Sequence, residues 1–220
     1  MKKDATEKKP KPAVRRLEPE ERKRFLCSAA EACLRKYGID RFTFERVAKE
    51  AGVTQPLVHH YFKSKEQLLA EVYRSLMRQI PSLPKKRPSD LADAIRALME
   101  FVEANFEASY YNRSNFRPWL ALWQELAGNP GLQKESESIE APIRGQLITL
   151  FKFIADARGL TINAPQVAHQ FDCLLNGLWI SWCLDGGGHY HCRDEKASAL
   201  AFLQSHLGPL SLASKRARRP

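Results

Sequence analysis

Apolar residues recur along this chain at three- and four-residue intervals. Alternating β-branched stretches are missing, so the pattern predicts an all-α fold of about nine helices. Phe25, Leu26, Ala29, Cys33 and Leu34 share one face of a helix over Pro19–Tyr37, with Pro19 in its first turn and Gly38 closing it. A second, short helix fits Phe44–Ala51, capped by Thr43, with Val47 and Ala48 facing inward and Gly52 stopping it. A third starts almost at once, with Thr54 as cap and Pro56 in its first turn. Ser64-Lys65-Glu66-Gln67 is a capping-box pattern, and Leu68, Leu69, Val72, Tyr73 and Leu76 continue it as a fourth helix. Three prolines in eight residues (Pro81, Pro84, Pro88) then break the periodicity and place a domain boundary there. Helices resume over Leu91–Phe106, Phe116–Leu126, Leu132–Ala157, Pro165–Leu184 and Asp194–Leu207, with turns at Gly128–Gly131 and Gly186–Gly188. The expected organisation is a disordered arm at 1–17, a first domain at 18–80, a second at 88–208 and a tail at 209–220.

The second and third helices, joined by a tight turn at Gly52, form a helix-turn-helix. The second helix of such a pair enters the major groove N-terminus first. There the chain offers Thr54, Gln55, Pro56, Leu57 and His59. A glutamine can bond adenine bidentately, and Pro56 and Leu57 can pack on a thymine methyl. His60, Tyr61 and Lys65 are donors suited to phosphate, and Lys65 opens a helix, where backbone N–H groups also attract anions. Val58 and Phe62, with Leu57 as a third candidate, would hold the helix to its neighbours. The bland alternative is a plain helical bundle with surface histidines and a Tyr61-Phe62 core pair.

Charge favours the first reading. Residues 1–78 carry a net +8, residues 79–214 a net −2, and the final KRARRP a further +4, together +10. Such asymmetry suggests a polyanion-binding end joined to something else. Five scattered cysteines (Cys27, Cys33, Cys173, Cys183, Cys192) read as reduced thiols in a cytoplasmic protein. No run of eighteen apolar residues predicts a membrane span, and the basic N-terminus lacks the apolar stretch of an export signal.

The run FTFERVAKEAGVTQPLVHHYFKSKEQLLAEV (Phe42–Val72) resembles the DNA-binding domain of TetR-type transcriptional regulators. The resemblance rests on Thr43, Val47-Ala48, Ala51-Gly52-Val53, Tyr61-Phe62, Ser64-Lys65-Glu66 and Leu68-Leu69. It implies a homodimer with two recognition helices on a palindromic double-stranded operator. By that resemblance Thr54, Gln55, Pro56 and His59 fall on base-facing positions, and Thr43, His60, Tyr61 and Lys65 on phosphate-facing ones. His59 stands where the family frequently has tyrosine.

Two later segments, FRPWLALWQELAGNPGL (Phe116–Leu132) and CLLNGLWISWCLDG (Cys173–Gly186), resemble the C-terminal domain of BetI-type repressors, which respond to choline. The matching features are Arg117 with Trp119, the run Leu120–Trp123, Asn129-Pro130, and Leu174-Leu175 with Gly177–Trp179. All four tryptophans, Trp119, Trp123, Trp179 and Trp182, lie in these segments. Tryptophan faces attract quaternary ammonium groups, and Glu125 or Asp172 can supply counter-charge. Asn176 completes the candidate ligand set, although it and Ser181 stand where the subfamily commonly has Asp and Arg. The alternative is that these rings fill a core or a dimer seam. Helix 165–184 is apolar around most of its circumference, so it and 194–207, with Ala197 and Ala201, are expected to pair with a second copy as a four-helix bundle. A large monomeric core is the other solution.

The remaining signals carry less. His189, His191 and Cys192 lack the usual zinc spacing, so no metal or other cofactor is expected. No phosphate loop, nucleophile elbow or known catalytic spacing occurs, and no enzyme activity is expected. The competing functions are a ligand-independent or activating DNA-binding regulator, and a basic adaptor binding RNA or acidic surfaces without sequence preference.

Overall fold

The computed structural model describes residues 17–81, 83, 87–185 and 192–210. Residues 1–16 of the expected basic arm, the C-terminal KRARRP and the loop carrying His189 and His191 lie outside the described residues. Those described form nine helices and no strand: α1 (Pro19–Tyr37), α2 (Phe44–Ala51), α3 (Gln55–Tyr61), α4 (Lys65–Met77), α5 (Leu91–Asn105), α6 (Arg113–Leu126), α7 (Pro130–Arg158), α8 (Ala164–Leu184) and α9 (Cys192–Leu207).

The local signals explain most of the boundaries. Gly38 ends α1 at φ 70°, its N–H donating to the Leu34 carbonyl. Thr43 Oγ1 accepts the Arg46 N–H at 3.2 Å and starts α2. Two expectations are corrected. Thr54 occupies the N-cap position of α3, but its side chain makes no capping bond. Pro130 and Gly131 are not turn residues: α7 begins at Pro130, because the Asn129 side chain accepts the Leu132 N–H at 3.0 Å and proline is tolerated in a first turn.

Packing groups the chain into two compact units that do not follow chain order. The first runs through Ser75 and takes in Arg117–Gln133; the second holds Leu76–Phe116 and the chain from Lys134. In the first, α1 packs on α2 and α2 on α3. Its core includes Leu26, Ala30, Cys33, Leu34, Val47, Val58, Phe62, Leu68 and Leu69. Trp119 joins this unit edge-on to Tyr73, with ring centroids 5.4 Å apart. In the second unit, Leu98, Val102, Phe151, Ile154, Ala168, Phe171, Ala199 and Leu203 are fully buried together.

The cysteines differ in their surroundings. Cys33 is fully buried, and burial pushes its thiol up to about 11, whereas Cys173 is exposed. Since the thiolate is the reactive form and Cys33 is fully buried, Cys33 is expected to react at pH 8 only after denaturation. Peptide mapping after brief iodoacetamide treatment checks this; early modification of Cys33 would contradict its placement.

Candidate nucleic-acid interface

The helix-turn-helix is set by one glycine. Gly52 adopts φ 65°, ψ 30°, a left-handed conformation that costs glycine least. Its N–H donates to Lys49 O (3.2 Å), and the Val53 N–H to Ala48 O (2.9 Å). This paired closure turns the chain within two residues and sets α3 on α2.

On α3 the buried and open faces separate cleanly. Val58 and the adjoining Phe62 are fully buried; Leu57 and Tyr61 are half-buried; Thr54, Gln55, Pro56, His59 and His60 are exposed. Apolar anchors therefore fix the helix while a polar edge remains open. That edge is also ordered from beneath. The His59 ring meets Phe44 of α2 edge-on at 4.3 Å, and Gln55 Nε2 lies 3.4 Å from His59 Nε2. The glutamine amide is thus held by its neighbour one turn on, and loses less freedom on meeting a base edge.

The residues expected to face phosphate have the following partners. Thr43 uses one lone pair in its cap and keeps its hydroxyl hydrogen to donate. Arg22 of α1 donates to Tyr61 Oη at 3.0 Å and to Leu17 O at 2.7 Å, so the tyrosine is tied to a second helix. Lys65 stands at the start of α4, beside an ordered cap in which Ser64 Oγ accepts the Gln67 N–H (3.2 Å) and Gln67 accepts the Lys63 N–H (2.7 Å). Lys65 Nζ donates to Glu125 Oε2 at 3.3 Å. This pair is partly exposed and so worth little to stability, yet it sets a counter-charge beside the lysine. Sequence reasoning missed Arg22, Phe44 and Glu125 in these supporting roles. Lys63, exposed in the turn before α4, was also passed over although the run Lys63-Ser64-Lys65 signalled it.

The candidate ligand residues fall in both units. In the first, Trp119 is buried, Trp123 lies 6.3 Å from it between ring centroids, and Glu125 holds Lys65. In the second, Asn176 is exposed on α8, and Asp172 is half-buried. Burial raises the Asp172 carboxyl above its usual range, opposed by the nearby Arg144 and His169 charges. Trp179 sits in an aromatic cluster: its ring centroid is 4.9 Å from Tyr110, 5.3 Å from Tyr111 and 5.3 Å from Phe116. Trp182 joins through Tyr111 at 4.5 Å. No group of three metal-ligating side chains occurs among the described residues.

A glycine-closed helix pair with an open polar edge, flanked by phosphate-type donors, defines a DNA-reading head, and the helices beyond it a second module. Comparison with known proteins agrees. Residues 26–72 match the family described as bacterial regulatory proteins, tetR family, and residues 94–208 match the BetI-type transcriptional repressor C-terminal family. The chain belongs to the TetR family of DNA-binding transcriptional regulators, with a C-terminal domain of the BetI type. It is 27% identical over 167 residues to the HTH-type transcriptional regulator BetI of Yersinia pestis (strain Pestoides F), covering 75% of this chain and 82% of that protein. It is 28% identical over 172 residues to BetI of Vibrio campbellii, covering 77% and 84%. Among solved structures, a Pseudomonas aeruginosa PAO1 protein assigned to transcriptional regulation superposes with TM-score 0.75 at 26% identity, covering 88% of this chain and 94% of that one. A Saccharomonospora viridis protein, likewise assigned and crystallised in complex with choline, shares the fold with TM-score 0.67 at 20% identity, over 84% and 96%. These relatives are regulators and not enzymes. Among the described residues, no helix is long and apolar enough to cross a membrane.

Proposed function

We propose that this regulator is a homodimeric repressor that binds a palindromic operator in the cytoplasm and is released by a small-molecule effector, with choline the first candidate. The observation that carries the DNA side is the open edge of α3, where Gln55, Pro56 and His59 stand exposed above the buried Val58 and Phe62. One such edge reads only a few base pairs, so a specific operator calls for two heads spaced by about one helical turn or its equivalent.

Dimerisation is supported by the open sides of α8 and α9. Cys173, Asn176, Gly177 and Ser181 on α8, and Ala197, Ser198 and Ala201 on α9, are exposed and short, which permits close helix approach. Leu184 at the end of α8 is 71% exposed. On this reading Asn176 serves the seam more naturally than a ligand. An effector in the C-terminal module would favour dimers whose heads no longer match the half-site spacing. Choline enters as a candidate from the BetI-type match and from the S. viridis complex, with ring faces present to receive it.

The test is selection of bound duplexes from a random DNA pool at near-physiological salt, followed by titration of the complex with choline. A recovered palindrome, bound by two chains and released by choline, is the expected result. Recovery without a motif, with binding that vanishes as salt rises, would favour a nonspecific basic adaptor.

A further inference from the structure

Glu195, in the first turn of α9, is a buried acid with only 2% of its surface exposed. The Tyr111 hydroxyl donates a short hydrogen bond to its Oε2. Its other oxygen, Oε1, is buried and has no hydrogen-bond partner among the described residues. Buried carboxylates are ordinarily paired or fully hydrogen-bonded, so an orphan oxygen calls for an explanation. Its partner Tyr111 is also the hub of the aromatic cluster, touching Phe106, Trp179 and Trp182. The faces of this cluster accept cations already: the Arg113 guanidinium stands 5.6 Å from the Trp182 ring. Tyr111, which holds Glu195, lies 4.5 Å from the same Trp182 ring, so both charges border one cluster.

We propose that Glu195 is the anionic anchor of a binding site for a small organic cation bearing an N–H or O–H donor. The site rests on the ligand-released reading above and assigns its charged end to residues that reading did not use. The aromatic faces attract the cation through their quadrupoles, and the carboxylate supplies the counter-charge. The ligand's donor satisfies Oε1. A neutral apolar ligand leaves that oxygen orphaned, and an anion is repelled by it. Burial holds the free Glu195 carboxyl above its usual range, reinforced by Asp194 and Asp185 and opposed by the Tyr111 hydrogen bond. A bound cation therefore meets a group that gains from ionising beside it.

Titration of the full chain by calorimetry tests this with three probes: choline, tetramethylammonium (charge without a donor) and 3,3-dimethylbutan-1-ol (a hydroxyl without charge). Choline should bind tightest, and the neutral alcohol at least about tenfold more weakly. E195Q keeps the shape and can still accept from Tyr111. It should lose about tenfold or more in choline affinity and lose the preference over the alcohol, with helical content and ligand-free operator binding unchanged. E195D, which keeps the charge, should retain the preference even if its affinity falls. Equal choline binding by wild type and E195Q would overturn the assignment, as would failure of both cations to bind wild type. Release of wild type from its operator by an uncharged small molecule would then leave the ligand-released reading standing.

Discussion

Phe62→Ala is expected to destabilise the reading head strongly and to weaken sequence-specific DNA binding. Phe62 is fully buried, is the residue that ends α3, and donates its backbone N–H to Val58 O at 2.9 Å. Truncating a buried phenylalanine to alanine costs about 3–5 kcal/mol, from lost transfer energy and the cavity left behind. A small domain is stable by only about 5–15 kcal/mol, so this is a large share of its total. A fall in the midpoint of urea denaturation, followed by tryptophan fluorescence and by circular dichroism, would report it. Phe62→Leu should recover much of the loss, since it restores most of the volume. A Phe62→Ala protein as stable as wild type would mean that the ring does not anchor α3.

The second large effect separates specificity from affinity. Gln55→Ala should remove about 1–3 kcal/mol of discrimination at one base pair of each half-site while leaving binding to random DNA nearly unchanged. Gln55 is exposed and steadied by His59, so nothing buried is lost with it. Lys65→Ala should act the other way, weakening binding to all sequences alike and reducing the salt slope by about 1 per head. The Glu125 partner tempers that loss, because the lysine's charge is already partly answered. Removing this competitor, as in Glu125→Gln, should therefore strengthen binding to every sequence. Operator and random-duplex affinities over a range of salt check all three variants. If Gln55→Ala preserved full base preference, another residue of α3 would be the reader.

The contrast between Gln55 and Lys65 also shows how far a local pattern reaches. The exposure of Gln55, Pro56 and His59 is legible because they lie on an element whose ends are marked locally, by Gly52 before it and Ser64 after it. Lys65 was legible as a cation but not as a paired one, since Glu125 lies 60 positions away. The tie from Arg22 to Tyr61 spans 39 positions. In the C-terminal module the gap is wider. Trp179 stood out by composition, but Glu195 reads as an ordinary acid in a first helical turn, and its bond to Tyr111 spans 84 positions. Asp172 and Glu125 looked equally fit as counter-charges in the sequence, yet the structure sets each of them near a basic residue.

What the sequence determined by itself was the set of helices, most of their ends and the face of α3 that stays open. These depend on periodicity and on side chains within four residues of one another, which any reader of the chain can see. Tertiary structure alone decided which charges are already answered, which acid is buried with an oxygen left over, and that Arg117–Gln133 packs with the reading head instead of with the helices that flank it in the chain. Burial and long-range pairing depend on how elements meet, and an amphipathic pattern specifies that a face must be covered without specifying by what.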